Sequence, residues 1–149
     1  MRIYNTFVSL QASALVSSAA CGADLLALEQ AVILGLRRRI ILPFDRDRFR
    51  SMSVADRPGN WAELYDTVLD KVQASGDLVI APPVAEDEAY IKTNHLIVEA
   101  ALSLSKALHQ PTAAIRVWEG VPRSKKDYTE EFGEYAQRQG LQLYDISTR

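Results

Sequence analysis

Cysteine is nearly absent from these 149 residues: Cys21 stands alone. A single cysteine excludes an intrachain disulfide and any zinc site built on paired thiolates. It predicts a reducing, cytoplasmic setting. Histidine is almost as scarce, with only His95 and His109, fourteen positions apart in one helical pattern. They are too far apart to share a metal ion, so no metal site is expected. No apolar run approaches the ~20 residues that cross a bilayer. The opening MRIYNTFVSL is interrupted by Asn5 and Thr6, so neither a membrane span nor a signal peptide is predicted. Net charge is missing too: 17 Lys and Arg meet 19 Asp and Glu, leaving −2. That balance argues against a nucleic-acid partner, which selects for a basic footprint.

What remains is an ordinary globular composition, 48% apolar and 24% charged, with no internal repeat. The length suits one domain with a proper core. Short runs rich in Val, Ile and Leu alternate with longer helical patterns. ALVSS (14–18), RRIILPF (38–44), DLVIAPP (77–83), AAIRVWEG (113–120) and LQLYDI (141–146) read as about five buried strands. Helical spacing runs from Ala23 to Leu34, Trp61 to Gln73, Asp87 to Leu108 and Tyr128 to Gln139, with Gly35 and Gly140 as stops. Strand and helix in alternation predict an α/β fold, doubly wound in three layers on a mostly parallel sheet. Residues 1–13 form an atypical or abbreviated first unit. Ile3, Tyr4, Phe7 and Leu10 share one helical face, so residues 2–10 read as a helix, the alternative being an irregular first strand. An exposed sheet edge there would be covered in a homo-oligomer.

Two arginine- and lysine-rich segments, DRDRFRSMSVADRPGN (45–60) and VPRSKKD (121–127), follow strands and are expected as loops. In an open α/β sheet they emerge at the carboxyl ends of strands, where ligands bind. Charge alone equally fits a solvated loop.

Three junctions carry the chemistry. In SSAACGAD, Gly22 permits a tight turn, Ser17 and Ser18 offer hydroxyls, and the next helix presents free N–H groups. Asp24 either caps that helix or meets a hydroxyl of a sugar. Small residues there also serve plain helix–sheet packing. Neither a Walker A loop nor GxGxxG is present, and no resident cofactor is expected. In RVWEGVPRSKKDYTEEF, Trp118 is core or a platform for a planar base, and Gly120 gives a turn. Thr129 opens a helix with Glu130 and Glu131 in its first turn. In YIKTNHLIVEA, Asn94 sits on or beside the buried stripe and needs partners, from a neighbouring backbone or from a ligand. No Ser/His/Asp set or nucleophile elbow can be assembled from spacing.

Taken together, these stretches resemble the SLOG superfamily, the Rossmann-like domains that include LOG cytokinin-activating proteins and the DNA-processing protein DprA. The likeness is greatest to SLOG-type domains of bacterial proteins, and it spans roughly residues 14 to 146. It rests on Gly22, Ala23 and Asp24 in the first turn, on IILPFDRDRFRSMSV, and on YIKTNHLIVEAAL. LOG enzymes carry a Pro-Gly-Gly-x-Gly-Thr-x-x-Glu loop. Here Gly120 and Thr129 match it, the double glycine is replaced by VPRSKK, and Glu131 follows the threonine by two positions rather than three. The resemblance implies a domain that binds or senses a nucleotide or nucleotide-derived small molecule at the carboxyl edge of the sheet. Ser18, Gly22, Asp24, Asn94, Trp118, Gly120 and Thr129 would line the site, with an arginine among Arg46, Arg48 and Arg123 neutralising charge. The alternatives are a LOG-like nucleoside-monophosphate phosphoribohydrolase, for which Glu131 is the candidate catalytic residue with Glu130 beside it, and a dimeric scaffold that binds nothing in the cleft.

Overall fold

The computed structural model describes residues 2–56, 58–118 and 128–147, without the side chain of Trp118. Its elements are α1 (Arg2–Ser9), β1 (Ala14–Ser17), α2 (Ala23–Ile33), β2 (Arg37–Leu42), α3 (Arg46–Ser53), α4 (Trp61–Ala74), β3 (Leu78–Ile80), α5 (Glu86–Leu108), β4 (Ala113–Trp118), α6 (Tyr128–Arg138) and β5 (Gln142–Ser147). The class is α/β, and all five strands pair in parallel, in one sheet of three and one of two. The chain divides into two compact units, Met1–Val84 and Ala85–Arg149.

In the first unit the strand order is β1-β2-β3, each parallel to the next. Ser17 pairs with Ile40, and Ile40 with Leu78. Successive residues Ile40, Ile41 and Leu42 are all buried. Side chains alternate across a strand, so both faces of β2 are covered, as a central parallel strand requires. Leu25, Leu28 and Ala31 turn one side of α2 into the core, and α2 packs against α1, α4 and the strands. Tyr65, Val68, Leu69 and Val72 do the same for α4.

The segment 45–60, expected as a loop, contains the helix α3. Three local causes build it. Asp45 caps the helix, its side chain accepting from the Arg48 backbone N–H at 2.9 Å. Phe49 is buried between Phe44 and Tyr65, at ring separations of 6.1 and 6.2 Å. Arginines then clasp α3 to α4: Arg50 makes two bonds to the Asp66 carboxylate, at 2.9 and 3.0 Å, and Arg46 reaches Asp70 at 2.6 Å and Gln73 at 2.8 Å. Beneath them the Tyr65 hydroxyl donates to the Arg46 carbonyl at 2.8 Å, and burial pushes that phenol well above its usual range.

In the second unit β4 and β5 pair over their full length, with Arg116 opposite Asp145. These two form a bidentate ion pair at 2.7 and 3.0 Å. The core joins Val98, Ala114, Ala136 and Leu141, with Phe132 and Leu143 packed on it. Gly133 sits in the middle of α6 because the Arg116 guanidinium passes beside it: a Cβ there would lie 2.5 Å from Arg116 Nη1.

A buried carboxylate ties the strands of the first unit together. Asp77 precedes β3 and accepts two bonds from Arg37, at 3.1 and 3.3 Å, and one from Arg39 at 3.3 Å. The Arg37 hydrogen bonds hold its carboxyl below the usual carboxylate range, with Arg39 adding to the effect. A depressed folded-state pKa contributes stability above the ordinary carboxylate value, and loses it as pH falls through the folded value. Asp77→Ala is therefore expected to cost roughly 1–2 kcal/mol at neutral pH, held to the low end by the exposure of Arg37. In urea unfolding at a series of pH values, that difference from wild type should shrink below about pH 4.

Candidate functional site

The carboxyl end of β1 runs through Ser17, Ser18, Ala19, Ala20 and Cys21 to Gly22, the residue before α2. Gly22 adopts φ 90° and ψ −126°, a conformation that favours glycine because a Cβ would be strained. Crowding is not the reason for the glycine: a Cβ built there would meet nothing within 4 Å. The space beside the turn is open.

Gly22 provides no side-chain cap for α2. The amides of the first helical turn have no intrahelical acceptor and carry the positive end of the helix dipole. The turn is fixed from the other side by the Cys21 N–H, which donates to the Ser53 carbonyl at the end of α3, 3.0 Å away. Asp24 folds back over the turn, and its Oδ2 accepts from the Ala20 N–H at 3.1 Å. The Ser17 hydroxyl, whose one proton is shared between this carboxylate and the Ser18 carbonyl 2.8 Å away, is the second donor. Asp24 as a residue is only half-buried, but protein encloses its carboxyl group. That enclosure pushes its pKa up, against the smaller opposing pull of the Ala20 and Ser17 hydrogen bonds. A carboxylate enclosed by protein and held only by neutral donors keeps acceptor capacity that no cation satisfies.

The arginines expected near this edge are engaged by protein groups. Arg46, the first residue of α3, reaches across to α4, where it also bonds the Asp66 carbonyl at 3.3 Å. Arg48 lies over the Phe44 ring, 4.2 Å from its centroid. Gly120, Arg123 and the Trp118 side chain lie outside the described residues, although Trp118 closes β4.

The second unit gathers another set. Asn94, half-buried on α5, donates from Nδ2 to the Tyr128 carbonyl at 2.9 Å and to Glu131 Oε1 at 3.0 Å. Glu131 Oε2 meets His95 Nε2 at 2.8 Å. The imidazole stacks on Tyr135, centroids 3.7 Å apart and planes 12° from parallel, and the Tyr135 hydroxyl donates to Glu99 at 3.1 Å. Both oxygens of the Glu131 carboxylate are thus held between two helices. Thr129 stands two residues earlier, in the first turn of α6. Sequence reading singled out Asn94 and Glu131 but not His95, 36 positions from its partner. Its one signal was its place beside Asn94, on the turn of α5 that meets α6. Among the described residues no group of three or more His, Cys, Asp and Glu is placed to hold a metal ion, and no helix is long and apolar enough to cross a membrane.

The raised pKa of Asp24 has a consequence for stability. A carboxyl whose folded pKa lies above its ordinary value favours folding while protonated, and that contribution is lost as pH rises through the folded pKa. Asp24→Asn keeps an acceptor for the Ala20 N–H and never ionises. The variant should unfold at a higher temperature than wild type at neutral pH, and the gap should close as pH falls below the ordinary carboxylate range. A gap independent of pH would contradict this reading of the site.

Compared with protein-family models, curated proteins and solved structures, the chain matches none.

Proposed function

We propose that the chain is a binding or sensor domain of SLOG type, doubly wound in three layers, for a nucleotide or nucleotide-derived small molecule. The ligand sits at the carboxyl edge of the β1-β2-β3 sheet, and the protein works in the cytoplasm. One observation carries the reading: the open space beside Gly22, where the backbone is bare and the uncapped first turn of α2 begins. Backbone amides there suit a phosphate or another anion. Asp24, its carboxyl enclosed in protein and raised in pKa at the same turn, suits a ribose hydroxyl. A perturbed carboxyl two residues from an open glycine turn supports a functional position there. Ser18 completes the strand end. Asn94 and Thr129, which the resemblance would add as polar orienting groups, lie in the second unit, where the Asn94 amide is bonded to Tyr128 and Glu131.

The hydrolytic alternative has less support. It needs the Glu131 carboxylate presented to a substrate, whereas Asn94 and His95 hold both of its oxygens.

The experiment is a thermal-shift series on the purified chain with AMP, adenosine, ADP-ribose and cyclic dinucleotides at millimolar concentration. A ligand at 100 times its dissociation constant adds about 2.7 kcal/mol, roughly 5–10 °C for a chain of this size. A shift that Asp24→Ala abolishes supports the proposal. No shift with any of them, from a protein that unfolds cooperatively, overturns it.

A further inference from the structure

A surface helix ordinarily has one apolar and one polar side, and α2 departs from that rule. In ADLLALEQAVI only Asp24, Glu29 and Gln30 are polar. Such a helix belongs in an interior, yet Val32 is 46% exposed and Ile33 62%. Glu29, Val32 and Ile33 recur at i, i+3 and i+4, which places them together on the helix surface. The neighbouring helix α1, packed against α2, exposes Val8 as well.

Two charges accompany this apolar strip, and among the described residues neither meets an opposite charge. Arg38, on β2, is half-buried and donates from Nη1 to the Leu28 carbonyl of α2 at 3.3 Å. No carboxylate meets it among the described residues, and burial presses its pKa down. The side chain of Glu29, next in the chain after Leu28, also has no partner among the described residues. A half-buried cation without an anion, beside an anion without a cation, is costly to leave unmatched. A foreign partner carrying charge of one sign would satisfy only one of the two. A second copy satisfies both, because a two-fold contact presents the same patch from each side.

We propose that the outward face of α2 binds a second copy of this chain. Val32 and Ile33 of the two copies pack together across a two-fold axis, and Glu29 of each copy pairs with Arg38 of the other. The strip is small beside the roughly 800 Å² per partner of a standard stable interface, so the dimer is a reversible one. It does not depend on the ligand proposed above.

Sedimentation equilibrium of the full chain over a range of concentrations tests this. Wild type should show a monomer–dimer equilibrium. Ile33→Glu and Glu29→Arg, both on the exposed face, should each weaken it about tenfold or more, as like charges brought together do. Arg38→Glu should weaken it similarly. Mixing folded Glu29→Arg and Arg38→Glu chains should then restore dimers, since every charge contact in the mixed pair joins opposite signs. Circular dichroism and thermal unfolding establish that each variant folds. If Arg38→Glu loses its fold along with its Leu28 contact, the other two variants decide alone. A wild type that stays monomeric throughout, or a dimer that Ile33→Glu and Glu29→Arg leave intact, overturns the proposal. So does a mixture of folded variants that fails to recover.

Discussion

At Gly22 the chain leaves β1 and enters α2 through a backbone conformation that a side chain would strain. The geometry of the site follows from that turn. It aims the first amides of α2 past the end of the strand, and it brings Asp24 back over Ala20 and Ser17. It also leaves bare the space a side chain would occupy. The Cys21 amide, bonded to Ser53, pins the turn to α3. Packing alone explains a glycine pressed against a neighbour, as Gly133 is against Arg116. Gly22, like Gly35, Gly76 and Gly140, is pressed against nothing, and its positive φ is what calls for glycine there.

Stability and site pull in different directions here. Protein enclosing the Asp24 carboxyl raises its pKa, so keeping it ionised at neutral pH costs the fold something. Elsewhere the carboxylates are arranged the other way. Asp66, Asp77 and Asp145 each receive guanidinium hydrogen bonds that hold their pKa values low. Three acids are thus matched to arginine, and one, in the first turn of α2, is matched only to an amide and a hydroxyl. The proposed binding site rests in part on this local departure from the pattern of the other acids.

Much of the fold was legible in the sequence because its signals are local. The strands announce themselves as short branched-apolar runs, and Gly35 and Gly140 mark helix ends at positive φ. The amino-terminal helix was legible from Ile3 and Phe7, which the structure buries. The helix α3 was not, since RDRFRSMS has a single buried apolar residue. What holds it comes from Asp66, Asp70 and Gln73, which lie 16 to 27 positions away from the arginines they meet. The same distance in sequence hid the knot of Asn94, His95 and Glu131. Its members are ordinary helix residues until α5 and α6 come together. At the first turn, sequence gave the residue types at Gly22 and Asp24. The openness of the space and the enclosure of the carboxyl could only be read from three dimensions.

The most direct measurement is a set of backbone amide NMR spectra of the chain, recorded while AMP or ADP-ribose is titrated in. If the turn is a binding site, shift changes should saturate with ligand and concentrate at residues 17–25 and at Ser53, whose carbonyl holds the turn. Spectra that do not change, or changes confined to residues away from this turn, would contradict the account.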